Sequence, residues 1–429
     1  MFLFSSVAGA MIFGAVFSAN LNAKATEDGS NSKLQSLSKL TKTISTIEKY
    51  YVDDLQFKEI VDKAIEGLLN NLDAHSGFLN EKAFKDMQVQ TNGEFGGLGI
   101  TVGMKDGALT VISPIENTPA DKAGIKSGDI ILRIDGNATL GTTIDEAVNK
   151  MRGKPKTPIT ITIVRKGEQK PFDVKLVRDI ISVESVYAKM IEKDNILYLR
   201  VTNFDKHVTE KAEEFIKKYP KAEGIILDLR NNPGGLLNQA VGLTNLFIDS
   251  GVIVSQKGRN ESENSEFKAA RANKITNLPL AVLVNGGSAS ASEIVSGSLQ
   301  DHKRAVVIGE KTFGKGSVQI ILPVDDKEAI RLTIARYYLP SGRTIQATGV
   351  EPDIVVFPGK VPQHDENAFS IKESELKKHL TNELSKIDAN SDKNTTKITD
   401  NKTIITEANV NDDIQLKSAI DAIKILQLK

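Results

Sequence analysis

At 429 residues the chain is long enough for two or three domains with substantial cores, and its charges cancel, with Lys plus Arg and Asp plus Glu each numbering 55. That balance removes any electrostatic argument for nucleic acid or an anionic membrane surface as partner, and leaves recognition by shape and backbone. No cysteine is present, which excludes a thiol nucleophile, a zinc–thiolate site and disulfides, and the five histidines (His75, His207, His302, His364, His379) are scattered without metal-ligand spacing, so the sequence calls for no metal or cofactor.

The first 25 residues read as an address. Phe2 to Phe17 is almost continuously apolar, and Ala23-Lys24-Ala25 has the A-x-A form of a secretory cleavage site, although no Lys or Arg precedes Lys24. The expectation is an exported, periplasmic protein whose N-terminus is a signal peptide or an uncleaved anchor in the inner membrane. From residue 32 to 92 the pattern is helical, with Leu34, Leu37, Leu40, Ile44 and Ile47 and then Ile60, Ala64, Leu68 and Leu69 forming an apolar stripe that needs a partner.

Residues 94–179 read as a β-rich domain with strands at Ile100 to Val102, Leu109 to Ile112, Ile130 to Ile134 and Ile159 to Arg165, and helices at Pro119 to Ala123 and Ile144 to Met151. Gly96-Gly97-Leu98-Gly99 before the strand starting at Ile100 resembles the carboxylate-binding loop of PDZ domains, and Gly124 to Gly136 resembles their central hairpin. Successive N–H groups in such a loop hold a terminal carboxylate while the strand edge pairs with an extended peptide, so Gly97, Leu98, Gly99 and Ile100 are the candidate peptide-binding residues.

Residues 180–360 alternate short buried strands (Gly224 to Leu229, Leu280 to Val284, Ala305 to Ile308) with helices (Leu236 to Ile248 and one after Ser290), a mixed α/β domain. Residues 361–429 contain a polar stretch, 385–402, expected to be flexible, and regain helical periodicity from Asp413 to Leu428, a segment expected to dock on the core or on a second subunit.

The chemistry concentrates in Asn285 to Glu293, NGGSASASE, and Thr312 to Gln319, TFGKGSVQ. A serine hydroxyl needs a base, and a lysine whose amine is desolvated by neighbours such as Phe313 and Val318 can serve. Ser288, Ser290 and Ser292 compete for the nucleophile. Their strand-to-helix junction lies at the positive end of a helix dipole, where the next backbone N–H is free to stabilise an oxyanion. Gln319 and Glu293 read equally well as a strand-face amide and a helix-surface carboxylate. His302, twelve residues after Ser290 (302 − 290), lies roughly 18 Å away along a helix and reads as a surface residue. Gly309 to Lys315 satisfies G-x-x-x-x-G-K, but Gly316 stands where a phosphate loop needs Ser or Thr, and Ser317 to Val324 reads as a strand rather than a helix.

Together with Asp228 to Leu237, DLRNNPGGLL, these strings resemble the carboxy-terminal processing (tail-specific) proteases, serine-lysine peptidases with a PDZ domain, over most of the chain. The resemblance implies a ClpP/crotonase-like core with the β-rich PDZ domain inserted and helical N- and C-terminal regions. It implies Ser290 as nucleophile, Lys315 as base 25 residues on (315 − 290), Gln319 orienting the amine, and an oxyanion site from the Ala291 N–H and Gly234 or Gly235. It further implies an acyl-enzyme route, protein substrates with exposed C-terminal tails, a homodimer through the N-terminal helices, and an adaptor protein as a further partner. Leu72 to Leu79, LDAHSGFL, resembles a signature that normally has proline at Ala74. The competing expectation is a PDZ-bearing scaffold or chaperone with an inactive core.

Overall fold

Residues that alternate between two apolar faces build the centre of the molecule. In the computed structural model, strands Val186–Ile191, Ile196–Val201, Gly224–Asp228, Leu280–Val284, Val306–Gly309 and Ile354–Val355 form one sheet in that order, the first pair antiparallel and the rest parallel. Ile225, Leu227, Val282 and Val284 pack on one side with helices Val208–Lys218, Leu237–Asn245 and Ala291–Asp301. Ile226, Ala281 and Leu283 pack on the other with helix Ile414–Gln427 through Leu416, Ala419, Ile420 and Ile423. Both faces being covered explains why strand LAVLV is apolar at every position. A second sheet, Gly77–Leu79, Ala329–Tyr338, Val252–Gly258 and Ser265–Lys268, carries strand Ser317–Pro323 on Ala329–Tyr338.

The structure describes residues 27–362 and 405–428 except positions 106, 116, 260, 262 and 263; the segment 1–25, expected to direct export, and the polar stretch 385–402 lie outside them. The chain divides into two units at Ala74/His75. The first holds helices Glu27–Tyr50 and Phe57–Asn70, with Ile44, Ile60 and Leu69 buried and Leu34, Leu37 and Leu40 exposed. Among the described residues no helix is long and apolar enough to cross a membrane.

The second unit contains everything else, including a sheet ordered Ile100–Lys105, Ala108–Pro114, Ile130–Ile134, Pro158–Val164 and Phe172–Val177. Its helix Ile144–Met151 starts at a reciprocal cap: Thr143 Oγ1 accepts from Glu146 N at 3.2 Å and Glu146 Oε2 accepts from Thr143 N at 2.9 Å. Several strands are absent from the sequence expectation, Phe172–Val177 and Gly77–Leu79 among them. Phe172–Val177 shows the period-2 pattern that would have revealed it, with Phe172, Val174 and Leu176 packing inward. Gly77–Leu79 lies inside the region expected to be helical; it is three residues long and exists because Gly77 and Leu79 pair with Arg331 and Ala329, more than 240 residues away in sequence.

Candidate active site

Three neighbouring parallel strands end on the same edge of the central sheet, Asp228 opposite Leu283 and Val284 opposite Gly309. The loops that leave these ends are the three motifs: the glycine loop after Asp228, the serine turn after Val284 and the lysine loop after Gly309. Their proximity is therefore set by strand order, at the position where open α/β sheets bind ligands.

Within the serine turn, two of three hydroxyls are spent. Ser288 Oγ donates to Leu229 O at 2.8 Å and Ser292 Oγ to Asn232 O at 2.9 Å, and both residues are fully buried. Ser290 alone opens onto the cavity that follows; its side chain and that of Glu293 cap the start of helix Ala291–Asp301 reciprocally, and its hydroxyl, unlike the other two, is not spent on a backbone carbonyl. Its backbone sits at φ +54°, ψ −110°, a sparsely populated conformation for a residue with a Cβ. Glu293 supports it. This carboxylate is completely buried rather than on a helix surface, and accepts from Ser290 N (2.8 Å), Thr312 Oγ1 (2.5 Å), Gly314 N (2.7 Å) and Lys315 N (2.8 Å). One side chain thus ties the serine turn to the lysine loop.

Asn232 plays the corresponding part for the glycine loop, its carbonyl accepting from Ala289 N at 3.0 Å and its Nδ2 reaching Val201 O at 2.9 Å. Asn232 Oδ1 also takes the Gly234 N–H at 2.9 Å, so that donor is occupied. The N–H groups of Gly235 and Ala291 have no acceptor among the described residues. Gly234 must be glycine: at φ +104° an added Cβ would sit 2.9 Å from Ser290 Cβ and 3.0 Å from Ala291 N.

Lys315 and Ser290 line one cavity of roughly 610 Å³, together with Gly235, Gln319, Arg331 and Tyr337. Burial lowers the Lys315 pKa from the usual lysine range, the nearby Arg331 lowers it further, and Glu293 opposes both. Among the described residues no hydrogen bond joins Lys315 Nζ to Ser290 Oγ. Phe313, expected to enclose the amine, is 63% exposed; Val318 is buried and lines the cavity. Gln319 lies at a bulge in its strand pairing, and its Nε2 donates to Ser317 Oγ (2.8 Å) and Thr333 Oγ1 (3.3 Å), not to a group on Lys315. His302 is half-buried rather than on the surface, its Nε2 2.7 Å from Val252 O. Asp228 is structural: fully buried, it accepts from Arg230 Nη2 at 2.6 Å and from the Tyr198 hydroxyl at 2.7 Å, and burial followed by Asp228 pushes that hydroxyl up to about 12.

A second concavity, roughly 280 Å³, lies between strand Ile100–Lys105 and helix Ile144–Met151 and is lined by Gly97, Leu98, Gly99 and Ile100. The strand is at the edge of its sheet, and the Leu98 and Gly99 N–H groups have no acceptor among the described residues. Such a groove offers an extended peptide both a strand edge and donors for its carboxylate.

The sequence matches the family models Peptidase family S41 over residues 195–356 and PDZ domain over residues 96–176. It is 43% identical over 381 residues to the carboxy-terminal-processing protease of Bartonella bacilliformis, covering 86% of this chain and 87% of that protein. It is 36% identical over 319 residues to the carboxy-terminal processing protease CtpA of Bacillus subtilis, covering 74% and 68%. Among solved structures it is similar to a photosystem II D1 C-terminal processing protease, at 27% identity, 76% of this chain, 88% of that chain and a TM-score of 0.43. The chain belongs to the carboxy-terminal-processing proteases of peptidase family S41 and carries a PDZ domain.

Proposed function

We propose that the enzyme cleaves protein substrates near their carboxy-terminal tails, with Ser290 as nucleophile and Lys315 as general base. The observation that carries the reading is one cavity lined by the one serine of the turn whose hydroxyl is not spent on a backbone carbonyl and by a half-buried lysine whose surroundings favour the neutral amine. Lysine's flexible four-carbon stem gives Nζ the reach to close on Oγ once substrate fills the cavity. Oγ then attacks the scissile carbonyl as its proton passes to Nζ. The C–N bond breaks as Nζ returns that proton to the leaving amine, and water attacks the acyl-enzyme with Lys315 again taking the proton and handing it to Oγ. The unpartnered N–H groups of Ala291 and Gly235 support an oxyanion site, each effective donor contributing about 3 to 4 kcal/mol. Gly234 contributes the turn that brings Gly235 there, and Gln319 shapes the cavity wall beside the base.

The groove at Gly97 to Ile100 takes the free end of the tail. Ser290→Ala and Lys315→Ala are each expected to lower kcat/KM on a disordered-tail substrate by at least about 10³-fold with melting temperature maintained; Lys315→Ala cleaving at the wild-type rate would refute the reading. Export, supported by the apolar run Phe2 to Phe17, and pairing of two chains through Leu34, Leu37 and Leu40, supported by the exposure of those leucines, complete it. Cell fractionation and sedimentation equilibrium check them; a cytosolic, monomeric chain would contradict both.

A further inference from the structure

Two side chains that carry positive charge, Lys315 and Arg331, line the Ser290 cavity, and no carboxylate among the described residues lines it with them. Like charges sharing a half-buried space repel, so the chain must hold them there by other means. For Arg331 the means are visible. Its Nε donates to the His75 carbonyl at 2.7 Å, and Arg331 pairs with Gly77 across antiparallel strands. Ser76 Oγ accepts from Thr333 N at 3.1 Å, two residues further along the same strand. The His75 to Leu79 half of the LDAHSGFL signature supplies no group to the cavity, and these contacts show what it does: it fixes the strand that presents Arg331.

We propose that Arg331 is a positioning residue for the base: pinned by the His75 carbonyl, it keeps a permanent second cation in the cavity and so disfavours the charged form of Lys315 before substrate arrives. The inference rests on the Ser290–Lys315 reading above. Arginine suits the part because its guanidinium stays protonated throughout the working pH range, so only the lysine can relieve the repulsion by losing a proton. The groups facing Lys315 from the surrounding elements bear this out. Helix Glu81–Asn92 contributes Met87, Gln90 and Thr91, and the glycine loop contributes Pro233 and Leu237, all uncharged. Strand Ala329–Tyr338 contributes Arg331 and Tyr337, whose hydroxyl burial pushes up to about 12 and which is therefore neutral. Glu293, beneath the lysine loop, is the opposing charge. Burial, the largest influence, and Arg331 together outweigh it.

The test is the pH dependence of kcat/KM on a tail substrate for wild type, Arg331→Gln, Arg331→Lys and Lys315→Ala. The rate rises with pH as the base loses its proton. Removing the like charge must move that limb to higher pH in Arg331→Gln, each unit of displacement lowering the rate at fixed pH below the limb about tenfold, with recovery on the alkaline plateau. Arg331→Lys should leave the limb close to wild type. A uniform loss in Arg331→Gln at every pH, with the limb unmoved, would show a merely structural role and overturn the proposal. If Arg331→Gln does not fold, the cysteine-free sequence offers another route. Arg331→Cys carries a single thiol, which is modified in the folded enzyme with an ethylammonium methanethiosulfonate or its neutral ethyl analogue. A limb at lower pH for the cationic adduct supports the proposal; coincident limbs overturn it. An active Lys315→Ala would instead remove the dyad itself, whereas an inactive Lys315→Ala beside an unmoved Arg331→Gln limb would remove only Arg331's part.

Discussion

Glu293 concentrates more of the site than either of the two residues proposed to react. Its two oxygens receive three backbone N–H groups and one hydroxyl, from Ser290, Gly314, Lys315 and Thr312, filling the acceptor capacity of an ionised carboxylate. Glu293→Gln replaces one acceptor oxygen by a donor facing donors, at about 1 to 3 kcal/mol for each buried group left unpaired. Denaturant unfolding should show that loss, and kcat/KM should fall because the serine and lysine backbones no longer share an anchor. The same variant carries a signed pH prediction. Glu293 favours the charged Lys315, so its removal moves the acidic limb of the rate profile to lower pH, opposite to the effect of removing Arg331. A limb that stays in place, with stability intact, would show that Glu293 is not coupled to the base. None of this is legible in the sequence beyond the motif itself: a glutamate three residues into a helix reads as a surface carboxylate or cap, and only the lysine loop folding over it turns it into a buried hub.

Between elements, the decisive link is the one from the C-terminal helix to the glycine loop. Asp413 caps helix Ile414–Gln427, accepting from Leu416 N at 3.0 Å, and also pairs with Arg230 at 2.9 Å. Arg230 in turn grips Asp228, and although burial works against it, the pairing with Asp228 and Asp413 raises the guanidinium's pKa. Burial would raise the Asp413 pKa, but Arg230 and the Leu416 N–H outweigh it and the carboxyl titrates below its usual value. A carboxylate depressed in this way stabilises the fold above its unfolded pKa of about 3.9, and the contribution fades as pH falls through the folded value. Asp413→Ala should therefore cost about 1 to 2 kcal/mol at pH 7, from the lost cap and ion pair, with the gap to wild type narrowing below about pH 4. Unfolding curves at the two pH values decide it; a gap that stays constant would remove Asp413's charge from the account. The helix is legible in the sequence from its periodicity, as is strand Leu280–Val284 from its continuous apolar run. What Asp413 holds is not legible, because Arg230 and Asp413 are 183 residues apart, and no spacing rule connects them. Arg331 lies only 16 residues after Lys315 (331 − 315), on the strand paired with Ser317–Pro323, yet the motif shows only the lysine, and it takes the fold to show that both side chains line one cavity.

Across the second unit, the peptide groove and the serine cavity share a continuous stretch of chain. Helix Glu81–Asn92 lends Met87, Gln90 and Thr91 to the cavity wall, and strand Glu94–Gly97 runs directly from it into Gly97 to Ile100 of the groove. Arg152, at the groove's edge, reaches back across this junction, stacking on the Phe95 ring at 4.7 Å and approaching Asp86 at 3.4 Å, while Gly153 N donates to Gly96 O at 3.0 Å. A tail seated with its carboxylate at the Leu98 and Gly99 N–H groups would thereby be held by the same segment that borders the Ser290 cavity. The proposed division of labour gives capture to the groove and chemistry to the cavity, and kinetics separates the two. Amidating the substrate's carboxy terminus removes the negative charge those N–H groups would receive, and a charge-assisted hydrogen bond is worth about 1.5 to 3 kcal/mol. KM should rise roughly tenfold to a hundredfold while kcat is unchanged, because the scissile bond and its oxyanion donors are the same in both substrates. Titrating full-length Ser290→Ala with the acid and amide forms measures the binding difference without turnover. Equal affinities would take the carboxylate out of recognition and leave the strand edge at Ile100–Lys105 as the sole reader. A fall in kcat at unchanged KM would instead mean that occupancy of the groove is felt at Ser290, along a route for which the short segment between Thr91 of the cavity wall and Phe95 of the groove is at hand.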